Sequence, residues 1–103
     1  MPTTETIEDL IEEGLRQGPV PSYVRVGQLN QAIRTEVARV IPLVAARAEH
    51  LPDTQRAEIG AAVAAAERTL AGGLGDGLVS AVAHVQLLAR HARVLRSYEP
   101  DAT

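Results

Sequence analysis

From Val26 to Leu51 the sequence carries one apolar stripe: Val26, Leu29, Ile33, Val37, Val40, Val44, Ala48 and Leu51, each three or four residues after the last. Only an α-helix brings such positions onto one face, because about 3.6 residues complete a turn. A helix of roughly seven turns must bury that face against other elements, and the rest of the chain is read as what covers it. Pro42 interrupts the stripe. It lacks a backbone donor and crowds the carbonyl of Ala38, but the pattern continues in phase on both sides, so the spacing predicts a kink and not a break. Pro42 falls on the polar side of the wheel, where water can satisfy the freed carbonyl.

Proline and glycine separate this segment from three others. The breaks are Gly18-Pro19-Val20-Pro21, Leu51-Pro52-Asp53 and Gly72-Gly73-Leu74-Gly75-Asp76-Gly77. They predict four helices, about 4–17, 23–50, 53–71 and 76–98, in a single domain over 1–103. In the first, Ile7, Leu10, Ile11 and Leu15 share a face, and five acids between Glu5 and Glu13 surround it. The third has the seam Ile59, Val63, Ala66 and Leu70, padded by alanines that permit close approach, with Asp53 or Thr54 as its cap. The fourth is expected to start at an Asp76 cap and to bury Leu78, Val82, Val85, Leu88, Ala92 and Leu95. Its apolar arc is broad, extending to Ala83, Leu87 and Val94, which predicts packing on several sides, within the bundle or in a dimer. The expected fold class is all-α: a four-helix antiparallel up-down bundle, kinked at Pro42, with the second and fourth helices central.

Composition narrows the chemistry. The 103 residues include no Cys, Phe, Trp or Lys, so all ten basic side chains are Arg, and the net charge is -3. Disulfides, thiolate metal sites, a Cys nucleophile, a phosphate-loop lysine and Schiff-base chemistry are excluded. The core must be built from Ala, Val, Leu and Ile. A chain this short buries only about two thirds of its unfolded surface, so self-association is an economical way to complete it. No apolar run approaches the roughly 20 residues of a membrane span, and no basic region opens the chain. A cytoplasmic protein with no membrane contact is expected.

His84 and His91 are the main chemical candidates. They lie seven residues apart, inside the apolar arc of the fourth helix. Two turns separate them by about 10.5 Å, too far to share a metal as an i, i+4 pair does. Either they line a pocket as acid/base or hydrogen-bonding groups, or they are boundary histidines bonded to a neighbouring helix. Asn30 and Arg34, on and beside the apolar side of the second helix, either join such a pocket or fix helix register. None of His50, His84 and His91 has a Glu three residues before it, which excludes a ferritin-like di-metal site. No metal and no cofactor are expected, and no catalytic residue can be named.

The glycine run lacks a preceding strand and a lysine, and Asp76 repels phosphate, so it reads as a helix end, a turn and a new helix start. Tyr23 and Tyr98 read as packing anchors, and His50 as a partner for the last carbonyls of its helix. Arg90, Arg93 and Arg96, with Arg34, Arg39 and Arg47, raise the question of nucleic acid. The overall acidity, with an isoelectric point near 5.5, argues against it. Arg90 and Arg93 are read instead as interaction residues, together with Glu8 and Glu12 of the acidic first helix.

Three segments, ETIEDLIEEGLRQG, PSYVRVGQLNQAIRTEVARVIPLVAARAEHLP and GLGDGLVSAVAHVQLLAR, resemble in order and spacing a family of small actinobacterial proteins of unknown function described as natural-product biosynthesis proteins. The resemblance spans residues 5–97 and is carried best by VIPLV and GLGDGL. It implies an accessory role beside secondary-metabolite genes and supplies no catalytic residue. Three functions are then expected to compete. The first is a non-enzymatic accessory or protein-interaction module, a homodimer or the partner of another protein. The second is a small enzyme or binder of a small hydrophobic ligand, its pocket between the second and fourth helices. The third is a nucleic-acid or regulatory accessory.

Overall fold

The computed structural model describes residues 5–16, 18 and 21–99. They form four helices, α1 (Ile7–Leu15), α2 (Tyr23–Ala48), α3 (Asp53–Ala71) and α4 (Gly77–Ser97). The helix over 53–71 has the expected bounds, and the other three are shorter than expected by one to three residues at one or both ends. Thr4 and Gln17, expected in the first helix, lie outside the described residues. α2 runs through Pro42 without a break, and Pro42 is solvent-exposed.

Helix ends use different devices. Thr6 and Asp9 form a capping box at α1, each side chain bonded to the other's backbone N–H at 3.2 Å. Ser22 Oγ accepts from the Arg25 amide at 3.1 Å at the start of α2. The caps expected at Asp53, Thr54 and Asp76 do not form: α3 follows Pro52 with no side-chain cap, and Asp76 flanks α4 without a side-chain hydrogen bond. Arg56, not His50, serves the carbonyls at the end of α2, with Nε donating to the Ala48 oxygen at 3.3 Å and Nη2 to that of Leu51 at 3.2 Å. Between α3 and α4 the chain turns at Gly75 and Gly77, with φ of 74° and 83°. Side chains rarely adopt that left-handed conformation, which is why glycines stand here.

Successive helices run antiparallel, giving the expected up-down bundle. α2 and α4 are therefore parallel, and their contact is the most extensive in the molecule. Arg47, near the end of α2, donates to the Tyr98 carbonyl at the end of α4. α1 and α3 each pack against both α2 and α4 but do not touch one another. α2 and α4 thus form the centre of the bundle, with α1 and α3 packed beside them.

Small and branched aliphatic side chains fill the contact between α2 and α4. The valine-rich stripe of α2 meets Ala81, Val85, Leu88, Ala89, Ala92 and Leu95 of α4, all buried. α1 fills one groove of the pair with Ile11 and Gly14. Gly14 packs so tightly that a Cβ there would lie 3.0 Å from Ile33 Cδ1, 3.1 Å from Ala89 Cβ and 3.3 Å from Val85 Cγ1. α3 fills the opposite groove with Ile59 and Ala66. No helix among the described residues is long and apolar enough to cross a membrane.

Candidate functional site: the α3–α4 groove and the α1–α4 ion cluster

The two histidines lie where α4 turns from its buried face toward α3. They open on a groove of about 420 Å³ lined by Ala65, Arg68, Thr69 and Gly72 of α3 and its end, and by His84, Leu87 and His91 of α4. The sequence reading placed this pocket between the second and fourth helices. That seam is instead filled by Leu29, Ile33, Val37 and Val40 packed on Val85, Leu88 and Leu95, and the groove lies one helix over. The two helices pack directly on one another along this seam, so the open space lies beside α4 instead.

His91 and Thr69 tie the groove's two walls together. The Thr69 hydroxyl gives its proton to the Ala65 carbonyl at 3.2 Å, so the 2.9 Å contact with His91 is made by an Nε2–H donating to the hydroxyl oxygen. Burial lowers the His91 pKa, and Arg68 lowers it further. His84 behaves alike, with burial the larger cause and Arg34 the second. Both rings thus favour the neutral state. His84 Nε2 is shielded from solvent and has no hydrogen-bond partner.

Arg34 and Asn30 are not among the groove's lining residues. Arg34 reaches across from α2 to the end of α3, donating to the Leu70 carbonyl and, at 3.4 Å, to that of Gly72. A guanidinium there satisfies carbonyls that a helix C-terminus leaves free. Asn30 stands one turn earlier on α2, its Oδ1 buried without a partner.

The interaction candidates Glu8, Glu12 and Arg93 do come together. With Ile11 and Arg96 they line a cleft of about 180 Å³ between α1 and α4, whereas Arg90 is exposed and outside it. Arg96 links Glu8 to Glu36, and Arg39 joins Glu36 to Glu99, so one chain of alternating charge ties together α1, α2 and the end of α4. Glu36 is its centre, with a side chain only 10% exposed. It accepts a fork from Arg39 at 2.7 and 2.8 Å and a third bond from Arg96 Nη1 at 3.0 Å. The Arg39 hydrogen bonds hold its carboxyl below the usual range, against the opposing effect of burial. Glu8 is lowered first by a bond from its own backbone amide and then by Arg96. Arg25 of α2 binds Glu5, just before α1, and Glu13 near its far end, and its hydrogen bond is the main cause that lowers the Glu13 pKa. The acidic α1 is therefore matched to Arg25 of α2 and Arg96 of α4.

Glu36 is the residue the sequence reading missed. Its signal was its spacing: it follows Ile33 by three and precedes Val40 by four, which places a carboxylate on the edge of the apolar stripe. Arg34, Arg39, Arg47 and Arg96, considered for nucleic acid, are each bonded within the fold. Among the described residues no three His, Asp or Glu side chains gather as a metal site. No curated protein and no solved structure matches the chain. A family model does match, over residues 5–102, and the chain belongs to that family, DUF6415, a family of unknown function.

Proposed function

We propose that the protein is a non-enzymatic interaction module that works by self-association through the outer face of α4. The observation that carries this reading is the strip Ala83, Leu87 and Val94, which lies opposite the face α4 buries against α2. Leu87 is 42% and Val94 46% exposed. Apolar residues aligned on one face, and not scattered singly, are what a helix-on-helix contact uses. On α3, Ala57 and Ala61 are exposed small residues, of the kind that lets a second helix approach closely. Its resemblance to natural-product biosynthesis proteins of actinobacteria supports an accessory role beside a biosynthetic enzyme, with a cytoplasmic setting. Light scattering tests the reading. The wild-type chain is expected to form a dimer in the micromolar range, and Leu87→Glu with Val94→Glu to be monomeric with unchanged helix content. A wild-type chain that stays monomeric throughout that range overturns it.

A second reading, a binder of a small ligand, is favoured by one observation: the α3–α4 groove is open and holds both histidines.

A further inference from the structure

We propose that the α3–α4 groove is a binding site for a small ligand with one carboxylate and an aliphatic body, the carboxylate held by Arg68 and the rings of His84 and His91. The site shares Leu87 with the outer strip of α4, and its polar anchors Arg68, His84 and His91 lie outside that strip.

Charge makes the first argument. The groove's lining contains one guanidinium, two imidazoles and a hydroxyl but no carboxylate, in a protein whose net charge is negative. Arg68 forms no ion pair or side-chain hydrogen bond among the described residues, in contrast to Arg25, Arg39 and Arg96, which each hold two carboxylates. Behind the groove, Arg34 is fixed on the Leu70 and Gly72 carbonyls, where it adds positive potential without being free to bind. An anion is what this arrangement lacks.

Unsatisfied polarity makes the second. His84 Nε2 is hidden from solvent with no partner, and buried polar atoms are otherwise almost always bonded. The ring lines the groove, and a rotation that turns Nε2 outward lets a ligand oxygen supply that partner. His91 Nε2 is already engaged by Thr69, so its contribution is the ring's field and, once protonated, its second N–H.

Ligand class follows from the count of permanent charge. Arg68 alone in the lining is always charged, which matches a monoanion, and its planar fork fits a carboxylate's two oxygens. Leu87 and Ala65 provide an apolar wall for an aliphatic body, and about 420 Å³ lies within the range of small-molecule sites. The absence of a side chain at Gly72 leaves that end of the groove open.

Binding is linked to protons. A carboxylate beside both rings stabilises their charged forms, so it must raise their pKa values, and its own affinity must rise as pH falls through the imidazole range. Hexanoate is the probe, with hexanol and inorganic phosphate as the comparison arms and the histidine ring and leucine methyl resonances of the full chain as the readout. Saturable hexanoate shifts at His84, His91 and Leu87 are expected, with both imidazole titrations moving upward. Arg68→Gln, at an exposed position, is expected to fold normally and bind at least tenfold more weakly, while hexanol and phosphate bind more weakly than hexanoate. The proposal is overturned by hexanoate shifts that never saturate, by equal affinity in Arg68→Gln, by unmoved imidazole titrations, or by hexanol or phosphate binding as well as hexanoate.

Discussion

Arg96, in the last turn of α4, donates Nη1 to Oε2 of Glu36 in the middle of α2 at 3.0 Å, sixty residues away in sequence. Each helix of the central parallel pair thus supplies one side of a nearly buried ion pair, and Arg96 also holds Glu8 of α1. Three helices meet at one guanidinium, that of Arg96.

Removing the Glu36 carboxylate takes from Arg39 and Arg96 the partner they share and leaves Arg39 with Glu99 and Arg96 with Glu8. Glu36→Ala is expected to lower unfolding free energy by about 2 kcal/mol, because three charge-assisted hydrogen bonds are lost while both arginines keep a second carboxylate. Arg39→Ala, at a half-exposed position, should cost less than about 1 kcal/mol. Urea titration of the two variants checks the ranking, and equal small losses would show that Glu36 is not the anchor.

Gly14 sets how closely α1 lies on the central pair. Alanine normally favours a helix over glycine by up to about 1 kcal/mol. Here its Cβ would lie 3.1 Å from Ala89 Cβ, on a helix that cannot yield, and 3.0 Å from Ile33 Cδ1, which can. Gly14→Ala is expected to destabilise by about 1–2 kcal/mol despite the propensity gain, and Ile33→Val in the same chain should recover part of that loss. Denaturant midpoints of the single and double variants measure it; a stabilised Gly14→Ala would contradict the packing.

Acid should weaken the protein in two stages. His84 and His91 have lowered pKa values in the folded chain, so the unfolded chain binds more protons just below the ordinary imidazole pKa of about 6.5. Stability is therefore expected to be full above that pH and to fall as pH drops through the folded values. Glu8, Glu13 and Glu36 are also lowered, and their share is lost in a second stage below the ordinary carboxylate value of about 4.3. Thermal melts across pH read both stages, and His84→Gln with His91→Gln should remove the first while leaving the second.

How far the sequence reached can be traced through particular residues. The stripe from Val26 to Leu51 and the breaks at Pro52 and Gly72–Gly77 were enough for four helices and their order, because periodicity and turn chemistry are local. The direct packing of α2 on α4 is a property of assembled side-chain volumes, which is why the groove of His84 and His91 lies between α3 and α4 and not between the pair that periodicity suggests. Glu8, Glu12 and Arg93 were legible as a charge match between segments. Glu36 was not, since a carboxylate at the edge of a stripe signals burial only once Arg39 and Arg96 are seen to converge on it. The caps expected at Asp53 and Asp76 failed for a similar reason: short polar residues before a helix permit a cap, and the entering backbone decides whether one forms.

Self-association through the outer face of α4 is the central functional claim, and the chain's lack of cysteine makes it directly testable, because Arg90→Cys creates a single labelling site beside Leu87 and Val94. Nitroxide-labelled chains mixed with isotopically labelled, unmodified ones would report intermolecular relaxation at backbone amides. The account predicts enhancement centred on Ala83, Leu87 and Val94. No intermolecular enhancement, or enhancement centred on the exposed Leu43 of α2, would contradict it.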